Sequence, residues 1–314
     1  MLAVPALLTA CSNDNESTPE QSEIRLKSDV WKMMEGTRVT TFDEVEDLQA
    51  EAHFTCVAYE ANSNPLVAYI PSTTVDWNTT QWNFSGGSHY YWPLPATNGG
   101  EWPSLDFFGY MPATPPSYIT AGPTYTAAHN VTFTCTGLPM TNAGQGSSLK
   151  EFMFGLALGQ NYGNASAGVP LQFQHPFARI KLQLAASHPN VTINSITFRG
   201  IKNYGSFAYD HSEGTSTWTP SGDATNFVLT LNTAFDSNPA SETQIGDYYI
   251  MIPQNWAGVI EVNADCLFWG EKVNYPSLTT TVPTNWQPGY NYTYTFNISP
   301  NDLRVNIERF TEQW

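Results

Sequence analysis

The chain has 314 residues, with 12 Lys and Arg against 28 Asp and Glu, and its formal net charge of -16 rests on only 13% charged residues. Without a basic stripe to neutralise phosphates, nucleic acid is excluded as a partner, while 41% hydrophobic and 14% aromatic residues exclude a disordered chain. The length accommodates two ordinary domains, each able to bury its own core.

In chain order, residues 2–8 form an apolar run that ends at Leu8-Thr9-Ala10-Cys11. Spanning a bilayer takes roughly 20 apolar residues; a short run followed by small residues is the pattern of a cleavable signal peptide. Leu placed three before Cys, with small residues between, resembles the lipobox of bacterial lipoprotein precursors. Cleavage before Cys11 and acylation of that cysteine are therefore expected. Residues 1–10 become the signal peptide and 11–23 a lipidated tether held to the outer membrane by its lipid. Basic residues should precede the apolar run and none do, so the true start is expected a few codons upstream. Ser12-Asn13-Asp14-Asn15-Glu16 is similar to the acidic flag that sends some lipoproteins to the cell surface.

From Ile24 the residues alternate, with Ile24, Leu26, Ser28 and Val30 on one side and Arg25, Lys27 and Asp29 on the other. A period of two predicts a strand. The turn-like Glu35-Gly36-Thr37-Arg38 follows, and a second β run starts at Val39, which places Arg38 in an exposed loop. Beyond it, runs of Thr, Val, Ile and aromatics broken by Gly, Pro, Asn and Ser predict strands. They cover residues 53–59, 104–111, 131–136, 178–184, 191–199, 226–231, 247–252, 259–268 and 290–298. Helix signals are nearly absent. Many short strands with turn signals about every 8 to 12 residues predict β-sandwiches rather than a parallel sheet. The stretch 159–168 is the most linker-like, so a boundary near residue 170 divides the chain into 39–170 and 171–314.

With Cys11 assigned to lipid, Cys56, Cys135 and Cys266 remain. Cys56 and Cys135 could form a disulfide, but buried free thiols are the leading expectation. No cysteines are closely spaced and the histidines lack ligand spacing, so no metal site is expected. Asp43-Glu44-Val45-Glu46-Asp47 reads as a solvated acidic loop rather than a calcium site. No nucleophile elbow or phosphate-cradling loop is present, so neither an enzyme nor a cofactor is expected. Trp77, Trp82, Trp92 and Trp102 are candidates for stacking on sugar rings, set against a plain packing role.

Four segments carry a resemblance. They are Tyr90-Tyr91-Trp92-Pro93 followed by Leu105-Asp106-Phe107-Phe108-Gly109-Tyr110-Met111-Pro112; residues 169–180 around Phe173-Gln174-His175; Tyr249-Ile250-Met251-Ile252-Pro253-Gln254; and Trp286-Gln287-Pro288-Gly289-Tyr290-Asn291-Tyr292-Thr293-Tyr294. In this order, behind a lipobox, they resemble the fimbrillin family, the lipoprotein pilins of Bacteroidales-type (type V) fimbriae. The resemblance implies an all-β chain of two tandem transthyretin-like Greek-key β-sandwich domains. It also implies a fimbrial subunit, stalk or tip, at the cell surface and in the fimbrium, serving adhesion to host or bacterial surfaces. Its partners would be other fimbrial subunits and an Arg-specific protease that cuts at Arg38-Val39. That cut would remove residues 24–38 and open a groove for a neighbour's donor strand. Leu303, Val305 and Ile307 alternate before Phe310 and Trp314, making 302–314 either the donor or an ordinary final strand. The competing function is a monomeric surface lipoprotein that binds glycans.

Overall fold

The computed structural model describes residues 22–30, 51–96, 100–145, 149–237, 239, 241–299 and 302–313. They form an all-β molecule built around three hydrophobic cores.

The first half opens with β1 (Leu26–Val30), β2 (His53–Glu60), β3 (Ala68–Trp77), β4 (Trp82–Phe84) and β5 (Leu105–Met111). After β6 (Ile119–Tyr125) and β7 (Val131–Cys135) come β8 (Met153–Gln160), the short helix α1 (Tyr162–Ala165) and β9 (Val169–Gln174). Seven of these strands close a barrel in the order β1-β4-β3-β2-β5-β8-β9. Strands β2, β5 and β8 are buried on both faces. Phe54, Phe107 and Met153 point into the barrel, while Val57, Phe108 and Phe154 face a second core outside it. Burial on both faces explains why Phe107-Phe108-Gly109-Tyr110-Met111 reads as a continuous run rather than an alternation.

Chain order and spatial order part company in the second half. There β10 (Ala178–Leu184) and β11 (Asn190–Ile201) precede a hairpin of β12 (Tyr204–Asp210) and β13 (Thr215–Ser221). That hairpin returns to the first half, where β12 pairs antiparallel with β7 from Gly205↔Cys135 to Tyr209↔Val131. The sheet β13-β12-β7-β6 covers the barrel's outer face, with Phe133 stacked on Phe207 at 4.6 Å. The boundary expected near residue 170 thus falls inside β9, a barrel strand, and residues 204–221 cross back over it.

The remaining strands are β14 (Thr225–Phe235), β15 (Thr243–Gln244), β16 (Tyr249–Met251), β17 (Asn255–Trp256), β18 (Val259–Phe268), β19 (Glu271–Thr281), β20 (Thr284–Asn285), β21 (Tyr290–Ser299) and β22 (Asp302–Gln313). Two sheets, β15-β10-β21-β22 with β16 also on β10, and β14-β11-β18-β19, enclose the third core. Among the described strands, β1–β9 and β10–β21 are the parallel pairs and the other strand pairs are antiparallel.

Three edge strands carry a proline, Pro123 in β6, Pro220 in β13 and Pro276 in β19. Proline removes a backbone donor, so such edges cannot template further pairing. The edge of β14 is covered instead: Val228 N–H bonds to Met140 O at 3.0 Å and Thr230 N–H to Asn142 Oδ1 at 3.1 Å. Beside that contact the buried Gln145 amide accepts from Ile250 N–H at 2.8 Å and donates to Ile250 O at 2.9 Å. One side chain from the β7–β8 connection thereby satisfies both backbone groups of a β16 residue, as a neighbouring strand would.

Candidate functional site at the two ends of the chain

The first strand is an inserted member of the barrel. Its alternation survives in three dimensions, with Ile24, Leu26 and Ser28 buried and Arg25 and Lys27 exposed. On one side it runs parallel to β9, from Leu26↔Val169 to Val30↔Phe173, and Val169 N–H donates to Arg25 O at 2.8 Å. On the other it meets β4 at Leu26↔Trp82, while Ile24 N–H reaches Tyr90 O at 2.7 Å and Trp92 N–H reaches Ser22 O at 2.9 Å. Gly168, at φ +124°, opens the approach: a Cβ there would meet Lys27 Cγ at 2.9 Å.

A cleft of about 380 Å³ lies where the segment enters the barrel, lined by Glu23, Ile24 and Arg25 on the strand side and by Asp76 and residues 81–89 opposite. Glu23 pairs with His89 across it. Burial pushes the Asp76 carboxyl up, but hydrogen bonds from Ser85 and His53 and the His53 charge outweigh it and hold the group below its usual range. The His53 Nδ1 to Asp76 distance is 2.7 Å.

At the other end, β22 is an edge strand that pairs antiparallel with β21, from Ser299↔Asp302 through Ile298↔Leu303, Phe296↔Val305 and Tyr294↔Ile307 to Tyr290↔Gln313. Leu303 and Val305 are buried in the third core and Ile307 packs against it. Cys11, Arg38, Val39 and the acidic loop at 43–47 lie outside the described residues.

The four candidate indoles form no exposed platform. Trp82 is buried against Phe54 at 4.7 Å and Trp92 against Phe107 at 6.1 Å. Trp77 leans on Trp82 at 5.3 Å and Trp102 on Tyr162 at 4.8 Å, both partly buried against the barrel core. Core burial outcompetes exposure for a side chain of this area. Among the described residues, the indole that reaches solvent is Trp269, 91% exposed, which the sequence reading passed over. It occupies the two-residue turn between β18 and β19 at φ +50°, followed by Gly270 at φ +88°. The signal available for it was a Trp-Gly pair between two alternating runs.

Cys56, Cys135 and Cys266 are free and buried. Burial raises the Cys56 and Cys135 thiols to about 12 and, with Asp265 nearby, the Cys266 thiol to about 11. Among the described residues no group of three or more His, Cys, Asp and Glu could hold a metal ion, and no helix is long and apolar enough to cross a membrane.

Comparison with known proteins adds a family to this geometry. The model of a family described as fimbrillin-like matches residues 37–314. Among solved structures, a fimbrial protein from Bacteroides vulgatus superposes with a TM-score of 0.60 at 15% identity, covering 92% of this chain and 99% of that one. The tip fimbrial protein Mfa3 from Porphyromonas gingivalis, truncated at its C-terminus, gives a TM-score of 0.40 at 10% identity, covering 84% of this chain and 94% of that one. A search of curated proteins finds no significant match.

Proposed function

The chain belongs to the fimbrillin-like family, and from that premise we propose that it is a fimbrial subunit exported as a precursor acylated on Cys11 and assembled by strand exchange after cleavage at Arg38-Val39. Membership of that family supports a location at the cell surface or in the fimbrium. Its partners there are other fimbrial subunits.

The observation that carries the exchange reading is the position of β1. A segment from ahead of the cleavage loop lies between β4 and β9 and contributes Ile24 and Leu26 to the barrel core. Its departure would leave backbone groups unpaired on both sides and apolar floor exposed, a state that favours capture of another strand. The other half of the exchange has a candidate in β22. It is an edge strand without proline, unlike β6, β13 and β19, and it presents Leu303, Val305 and Ile307 at the spacing of β1. Treating the folded precursor with an Arg-specific protease is expected to release the N-terminal segment and yield polymers visible by electron microscopy. Polymers forming equally well from Arg38→Ala would refute the cleavage step.

Trp269 favours a second reading, a surface protein that binds glycans. An indole in a left-handed turn position costs about 1 kcal/mol or more, and at 91% exposure Trp269 has the Phe268 ring at 6.1 Å beside it. Glycan-array binding lost in Trp269→Ala would support this reading; an unchanged array would reject Trp269 as its anchor.

A further inference from the structure

The inward face of β1 has a flaw. Ile24, Leu26 and Ser28 all turn toward the barrel interior, and the Ser28 hydroxyl is buried without a hydrogen-bond partner. Ser28 lies opposite Leu171 of β9, and Leu171 and Phe173 belong to the barrel's apolar core. A buried hydroxyl that has surrendered water and gained nothing is a net cost to the strand that carries it. An alanine or valine at the same position would remove that cost, and valine would also suit a strand better.

We infer that Ser28 makes β1 a deliberately weak occupant of its groove, and that the site selects a replacing strand with an apolar residue in the Ser28 position. This rests on the strand-exchange reading above and adds its driving force and register. The occupant it fits is the 302–313 segment of a second copy. There Leu303, Val305 and Ile307 alternate without a polar interruption, so either register that fills three successive inward sites puts an apolar side chain where Ser28 sits. That segment also gains a second neighbour. In its own subunit β22 pairs only with β21 within its sheet, whereas the groove offers β9 along its length and β4 at its entrance. Leu26 and Ile24 still hold β1 in place until the chain is cut, so the precursor stays closed while its first strand remains exchangeable.

The test uses the full chain produced without export, so that Cys11 stays unacylated and carries a fluorophore that travels with the leaving fragment. The sample is cut by an Arg-specific protease and mixed with excess synthetic peptide spanning 302–313. Loss of the fragment is followed in wild type, Ser28→Ala and Ser28→Val, and the melting temperature of each uncut protein is measured. Release is expected about tenfold slower from Ser28→Ala, with a higher melting temperature before cutting. Peptides carrying Val305→Ser or Ile307→Ser should exchange unequally, the slower one identifying the residue that takes the Ser28 position. Release from Ser28→Ala at the wild-type rate overturns the inference, and so do Ser28→Ala and Ser28→Val proteins that both melt lower than wild type. Ser28→Val guards against a cavity effect in the alanine variant, since it fills the site: if both melt lower, the hydroxyl is not a cost. A fragment that never leaves wild type, with Ser28→Ala melting higher, refutes strand exchange itself and the inference with it.

Discussion

The first and last strands use the same alternation under opposite conditions. β1 is flanked on both sides and contributes to a closed barrel, while β22 lies at the edge of its sheet with one neighbour. The flanked strand carries the polar defect, Ser28, and the edge strand carries an apolar inward series, Leu303, Val305 and Ile307. Position and composition are thus crossed: the segment with more partners is the poorer match to an apolar floor. A chain selected only for monomer stability has no reason for that arrangement, whereas a precursor whose strands are to be exchanged does.

The largest expected effect comes from deleting residues after Pro300. Polymerisation should be abolished while the monomer keeps its barrel, since β22 is peripheral to it; electron microscopy and near-UV circular dichroism check the two halves. Fibres from the truncated chain would make the two ends unrelated. Leu26→Ala should cost about 2–5 kcal/mol, the range for truncating a buried leucine, measured by denaturant unfolding. Leu303→Ala, at an edge that can relax, should fall near the bottom of that range. Equal losses would remove the contrast between flanked and edge strand.

Acid supplies the smallest effect. Asp76 stands across the cleft from Glu23 and Arg25, and its folded pKa lies below its unfolded value, so its contribution is present above the ordinary carboxylate range and is lost as pH falls through the folded value. The carboxylate is well exposed, and solvent keeps the effect modest. Below about pH 4 the segment should loosen, seen as faster proteolysis near residue 30, and Asp76→Asn should flatten that dependence.

Much of this was legible in the sequence because the period of two is a local property. The expected runs at 53–59, 178–184, 259–268 and 290–298 coincide with β2, β10, β18 and β21 to within a residue or two. Both terminal alternations were legible for the same reason. The parallel pairings β1–β9 and β10–β21 were not, because which distant strands become neighbours is decided by packing, not by either strand alone. The return of β12–β13 to β7 was hidden likewise, and with it the interlocking of the halves. Gln145 reads as a surface residue in a polar loop; only its placement against Ile250 reveals it as a substitute strand. Among the tryptophans of the described residues, composition identified a rich supply but not which indole would escape burial.

The route from β9 to β10 has a mechanical consequence. Only residues 175–177 separate the groove wall from the inner strand of the C-terminal sandwich, and β10 lies against β21, which carries β22. In a fibre assembled by strand exchange, tension entering through the guest strand would cross β9, β10, β21 and β22 and leave through the next subunit. The path of tension is therefore a short series of covalent and hydrogen-bonded links, with the β13-β12-β7-β6 sheet off to one side. The exposed face of that sheet could vary while the tensile strength of such a fibre stays the same.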